Sequence, residues 1–208
     1  YRGTWGRVTE QSIPAVLAAA RIQPGSRLLD CGAGPGLLFA EATKRGAHAV
    51  GCDYSLEMVR LASASYPELE FFHEDAEQLS FADGTFDCVT LNYLLLHVAE
   101  PMKVLREAVR VLKPAGRLVY TLWCRPTESP GLGLMFEGIK RYADLTVIPP
   151  AGDIFHYSDD DASRSVMSDL GMNDIHVERI PTYWQVASAE EFFAAIQAGT
   201  RMGGPAEC

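Results

Sequence analysis

The sequence predicts an α/β fold: an open, mostly parallel sheet with helices on both faces. Three observations carry that expectation. Short apolar runs of strand length alternate with helical stretches between residues 27 and 123. The runs are apolar on neighbouring residues, as strands covered on both sides are. A loop carrying Gly32, Gly34 and Gly36 lies between the first run and a helix, where α/β proteins hold nucleotide-like ligands.

The elements follow in order. Val8 to Arg21 reads as a helix with apolar Val8, Ile13, Val16, Leu17 and Ala20, broken by Pro24-Gly25. Strand one is Arg27 to Cys31, and a helix from Leu37 to Arg45 ends at Gly46. Strand two is His48 to Cys52. Ser55 then caps a helix from Leu56 to Ser65, with Pro67 just beyond it. Strand three is Leu69 to His73, and an Asp83-Gly84 turn leads into strand four, Phe86 to Leu91. Pro101 opens a helix to Leu112, Pro114-Ala115-Gly116 stops it, and strand five is Arg117 to Trp123.

The rhythm changes after Trp123. Pro126, Pro130, Gly131 and Gly133 mark a loop over 125–133, Met135 to Leu145 reads as a helix, and Ile148 to Gly152 breaks it. Residues 125–157 are therefore expected to form a lid-like insertion. Ser158 is placed to cap a helix through Leu170, closed by Gly171. Ile175 to Ile180 reads as a sixth strand, and Ala189 to Gln197 as a last helix. No domain boundary interrupts the chain, so residues 1–208 are expected to form one domain around a core at 27–123.

Composition excludes several classes. The chain has 208 residues and a net charge of −9, without any Lys- or Arg-rich run, which argues against a nucleic-acid partner. No apolar run reaches membrane-spanning length and no signal peptide is visible, so a cytoplasmic protein without a membrane partner is expected. Cys31, Cys52, Cys88, Cys124 and Cys208 form no Cys-x-x-Cys pair, which points to free thiols and to no metal site.

The loop spacing is Gly-x-Gly-x-Gly. The dinucleotide fingerprint wants its third glycine at residue 37, where this chain has leucine. Asp30, two residues before Gly32, would repel a diphosphate and attract an ammonium group. Asp53 ends strand two, where a carboxylate can accept hydrogen bonds from ribose hydroxyls. Asp75, before Ala76, follows strand three, where it can meet an adenine amino group. Three acids thus converge on the carboxyl edge of the sheet.

These residues carry a resemblance. The segments Leu-Leu-Asp-Cys-Gly-Ala-Gly-Pro-Gly, Gly-Cys-Asp-Tyr-Ser-Leu-Glu-Met-Val, Glu-Asp-Ala-Glu-Gln-Leu-Ser-Phe, Phe-Asp-Cys-Val-Thr and Val-Leu-Arg-Glu-Ala-Val-Arg-Val-Leu-Lys-Pro-Ala-Gly-Arg-Leu occur in order over about 27–123. Together they resemble class I S-adenosylmethionine-dependent methyltransferases, and the whole resembles the ubiquinone/menaquinone-biosynthesis and natural-product groups. The resemblance implies a Rossmann-like fold, S-adenosyl-L-methionine as cofactor and S-adenosyl-L-homocysteine as product. It implies that Gly32, Gly34 and Gly36 pass beneath the methionine part while Asp30 orients its amino group. Asp53 would bind the ribose, Tyr54 and Met58 would lie beside the adenine, and Asp75 and Ala76 would read its edge. The backbone of Asn92 would face the amino group. The family sheet ends in an antiparallel seventh strand that is not legible here, so the final strand is expected to be missing from this chain.

The donor's methyl group is already activated on a sulfonium, so the protein must mainly align an acceptor and exclude water. His97, after strand four, is the candidate general base. Trp5, Trp123, Phe136, His156 and Trp184 are candidates for an apolar acceptor pocket. The chain reads Asn92-Tyr93-Leu94 where adenine- and glutamine-directed amino-methyltransferases carry Asn/Asp-Pro-Pro-Tyr, which weakens a DNA or RNA substrate, and the resemblance to the ubiquinone/menaquinone and natural-product groups implies O- or C-methylation of a small molecule. The competing readings are a nicotinamide-dependent oxidoreductase, disfavoured by Leu37 and Asp30, and a non-catalytic module that binds S-adenosylmethionine.

Overall fold

The computed structural model describes residues 5–142, 153–192 and 194. Five strands form one parallel sheet: β1 (Arg27–Cys31), β2 (His48–Asp53), β3 (Glu70–His73), β4 (Phe86–Asn92) and β5 (Leu112–Thr121). Their order is β3-β2-β1-β4-β5. The described helices are α1 (Trp5–Thr9), α2 (Ile13–Ala20), α3 (Leu37–Lys44), α4 (Leu56–Ser65), α5 (Pro101–Val111), α6 (Pro130–Tyr142) and α7 (Asp160–Asp169). This is the expected Rossmann-like architecture, with the boundaries of the first four strands close to those read from the sequence, while β5 begins at Leu112 and runs through Pro114-Ala115-Gly116, read as a break before it.

Alternate residues of a strand face opposite sides of the sheet, and here both sides are covered. Leu28 and Cys88 pack with Ile13, Val16 and Leu17 of α2 and Phe39 of α3. Their neighbours Leu29 and Val89 pack with Val104, Leu105 and Ala108 of α5 and Met167 of α7. The chain lays β1, β2 and β3 outward in one direction, then returns to place β4 against the free side of β1. The loops after β1 and β4 therefore diverge and open a crevice at their carboxyl ends.

Three local expectations are corrected. The N-terminal helix is not continuous: a 3-10 turn at Glu10–Ser12 separates α1 from α2. Pro14, within the first turn of α2, has no N–H to continue the earlier ladder. Ser12 Oγ also donates to Thr9 O at 2.7 Å. The cap of α7 is Asp159, whose Oδ1 accepts the Ala162 N–H at 3.0 Å, while Ser158 Oγ donates to Trp123 O. Helix α6 begins at Pro130, inside the stretch read as a loop, and residues 143–152 lie outside the described residues.

The sixth strand does not form. Ile175 and Val177 are half-buried while His176 and Glu178 are exposed, so the period of two survives, but no ladder does. Side chains tether this segment instead. Arg164 donates to Ile175 O at 2.7 Å, and Arg179 pairs with Glu128 and Asp160. Among the described residues the sheet ends at β5. The last expected helix is helical over 189–192 and at 194, and the rest of it, with Cys208, lies outside the described residues.

Gly51 in β2 has no room for a side chain. A Cβ there would stand 2.7 Å from Phe39 Cε1 and 2.8 Å from Phe71 Cε2. Gly51→Ala should lower stability by about 1–3 kcal/mol, the scale of overpacking a close-packed core. In urea unfolding the midpoint should fall with an unchanged slope.

Candidate active site

The glycine loop is shaped by backbone rather than side chains. Gly32, Gly34 and Gly36 adopt φ of 67°, 53° and 85°, the left-handed region. A Cβ on Gly32 would stand 2.6 Å from Leu94 Cδ1, so the loop lies hard against the segment after β4. A Cβ on Gly34 would meet nothing within 4 Å. That glycine faces the open crevice. The loop is pinned to β2 at two points: Ala33 N–H donates to Cys52 O at 3.0 Å, and Gly34 N–H donates to Asp53 Oδ2 at 2.8 Å.

Asp53 closes the turn after β2 as well, its Oδ1 accepting the Ser55 N–H at 2.8 Å. One half-buried carboxylate thus orders the glycine loop and the start of α4, where Ser55 caps through Met58 N–H as expected. Tyr54 is exposed beside it, 6.2 Å from the His73 ring, and Met58 is half-buried. Asp75 is exposed after β3 and its Oδ1 accepts the Glu77 N–H at 2.9 Å, while Ala76 packs on the core. The three acids stand at the carboxyl ends of β1, β2 and β3, along one sheet edge.

Asp30 is sealed from solvent at the end of β1. Burial is the main cause that lifts its pKa to about 7, with the charge of Asp53 adding to the rise. The Thr90 hydroxyl, donating to Oδ1 at 2.7 Å, works in the opposite direction. Asp30 lines a cavity of about 40 Å³ with Gly32, Gly34, Asn92 and, from the N-terminal segment, Thr9, Glu10 and Ile13. Carboxylates around a small cavity suit an ammonium group.

Three features were not read from the sequence. Asn92 Oδ1 accepts the Thr121 hydroxyl at 2.6 Å and stands 3.0 Å from Ser12 Oγ, whose one proton it shares with Thr9 O, so it ties the N-terminal segment to the ends of β4 and β5. Tyr93 adopts φ of 58°, unusual for a residue with a Cβ, and its N–H meets Thr121 O at 3.2 Å and Oγ1 at 3.0 Å. Its buried ring lies 4.3 Å from that of Trp123. Hydroxyl partners 29 and 80 residues away leave no local signal.

The other candidate residues are spread around this edge. His97 is exposed, in the turn after β4, with its N–H on Leu94 O. Phe136 of α6 meets Phe155 edge-on at 5.8 Å, and the exposed His156 meets Tyr157 at 4.9 Å. Trp184 packs 5.1 Å from Phe192 and lines a different cavity with Arg7 and Gln11. Trp5 opens α1.

A parallel sheet with a glycine loop after β1 and successive carboxylates at the ends of β1, β2 and β3 defines an open α/β protein of the nucleotide-cofactor class. Comparison with known proteins makes this specific. The family model for a methyltransferase domain matches residues 29–120. A demethylmenaquinone methyltransferase of Renibacterium salmoninarum is 31% identical over 181 residues, which cover 82% of this chain and 73% of that protein. One from Paenarthrobacter aurescens is 33% identical over 170 residues, covering 77% and 67%. A solved structure from Methanococcus maripaludis, 15% identical, shares the fold with a TM-score of 0.61 over 86% of this chain and 84% of its own. The chain belongs to the class I S-adenosylmethionine-dependent methyltransferases, and S-adenosylmethionine is its methyl donor.

Asp30 makes stability depend on pH. Its folded pKa of about 7 lies above the ordinary aspartate value of 3.8, so the folded chain keeps a proton that the unfolded chain releases. Its stabilising contribution is full below about pH 4 and is lost as pH rises through 7. Asp30→Asn cannot ionise. Its urea midpoint should therefore gain on that of the wild type between pH 5 and pH 8.5, by a few kcal/mol at most.

Proposed function

We propose that this enzyme transfers a methyl group to oxygen or ring carbon of a small quinol- or phenol-type acceptor. The observation that carries this reading is the similarity to demethylmenaquinone methyltransferases over most of the chain. The rings of Tyr93, Trp123, Phe136 and Phe155 beyond the carboxyl edge support an aromatic acceptor. The acidic charge supports a reaction without nucleic acid or membrane partners, and the free thiols of Cys31, Cys52 and Cys88 support a cytoplasmic setting.

In this reading residues 1–208 act as one domain, with the donor on the 27–123 core and 125–157 as a lid. Gly32, Gly34 and Gly36 carry the methionine part, and the open space at Gly34 supports that role. Asp30 receives the ammonium group and gives up its proton as it does so. The hydroxyls already on the Asn92 side chain favour its backbone for the same group. Asp53 keeps acceptor capacity for ribose hydroxyls, since a carboxylate has about four lone-pair sites. Tyr54 and Met58 flank the adenine while Asp75 and Ala76 meet its edge. His97 takes the acceptor's proton. Trp5, Trp123, Phe136, His156 and Trp184 line the acceptor side.

The donor supplies a methyl group on a sulfonium, so alignment and exclusion of water do most of the work. Turnover with a labelled methyl donor across quinols, phenols and amines tests the reading. Label should appear on quinols or phenols, and label confined to amines would overturn it.

Asp53→Ala should weaken S-adenosylhomocysteine binding by about 1.5–3 kcal/mol in calorimetry, the scale of hydrogen bonds to a charged group. His97→Ala should leave that affinity largely intact and reduce turnover about a hundred-fold or more, the range of general-base catalysis. Equal turnover would remove His97 from the reaction.

A further inference from the structure

The N-terminal segment separates two cavities. The one at Asp30 has room for little more than a water. The other, of about 340 Å³, is lined by Arg7, Gln11, Tyr183, Trp184 and Gln185, a size that takes small molecules.

The larger cavity is a half-open hollow with a fastened wall. Its walls come from segments 172 residues apart, and Gln11 fastens them. The Gln11 amide nitrogen donates to Tyr183 O at 2.8 Å, and the amide oxygen accepts the Tyr183 N–H at 2.9 Å. The same nitrogen donates to Arg7 O at 2.9 Å. Both N–H bonds of that amide are spent within the wall, which leaves recognition to the other side chains. Arg7 is exposed and takes part in no ion pair among the described residues. In a chain of net charge −9, it is the charged group among the described residues that line this cavity. Beside it stand the half-buried Trp184 and the exposed Tyr183. A guanidinium grips planar oxyanions and stacks on rings, and indole and phenol rings offer flat apolar faces.

We propose that this cavity binds a small molecule joining an aromatic ring to an anionic oxygen group. The ring lies against Trp184 and Tyr183, and the carboxylate or phenolate sits on Arg7. Two sources share this chemistry: the methyl acceptor, which would rest on the ring-acceptor reading above, and an effector. An effector here would bear on the segment that covers the donor cavity through Thr9, Glu10 and Ile13.

The test titrates 3-hydroxy-2-naphthoate and its neutral carboxamide into the full chain by calorimetry. The naphthoate should bind saturably, at least ten-fold more tightly than the carboxamide, and more weakly as salt rises. Arg7→Met should weaken the naphthoate at least ten-fold and the carboxamide little. Gln11→Ala, which frees Tyr183, should weaken both. Equal binding of the two probes, or an unchanged naphthoate affinity in Arg7→Met with an unchanged melting temperature, would overturn the proposal. A labelled methyl donor separates the sources: label on the bound naphthoate marks an acceptor site, and tight binding without label marks an effector site. S-adenosylhomocysteine affinity, measured in parallel, reports on the donor site independently of either result.

Discussion

Strand β1 is walled in on every side. Strands β2 and β4 occupy its two edges, α2 and α3 lie beyond one face, and α5 and α7 lie beyond the other. Such a strand can only be apolar, and this one ends in an acid. Asp30 emerges from it into a space sealed from solvent, and its elevated pKa follows from that burial. The glycine loop must leave the same strand and turn at once, which demands left-handed backbone at three positions. The sheet, the loop and the proton on Asp30 are consequences of one buried strand.

What could be read in the sequence was what repeats locally. Apolar runs, glycines and strand-end acids placed the sheet, the loop and Asp30, Asp53 and Asp75 where the structure has them. The unread part depends on partners distant along the chain. Asn92 serves two hydroxyls that no spacing rule connects to it. The left-handed turn at Tyr93 is imposed by Thr121, not by a glycine. The segment 175–180 has the alternation of a strand, but alternation specifies faces and says nothing of an edge to pair with. Pro14 was visible, yet its effect fell in the middle of an apolar period that continued on both sides of it.

The N-terminal segment gains its place through the buried side chains of Val8 and Ile13 and through polar contacts on both sides. Ser12 reaches Asn92 on one side, and Gln11 reaches Tyr183 on the other. One short stretch is also tied by two amides from opposite directions. Hydrogen bonds of this kind contribute about 1 kcal/mol each net. The segment is therefore fixed well enough to shape two cavities.

The carboxylates at the strand ends bear on what happens after methyl transfer. S-adenosylmethionine carries one more positive charge than the thioether it leaves behind. An edge bearing Asp30, Asp53, Asp75 and nearby Glu74 attracts the first more strongly than the second. The loss of the methyl group is also the loss of part of the attraction that held its carrier. Where that edge receives the donor, exchange of product for fresh donor would be favoured by the charge of the site itself.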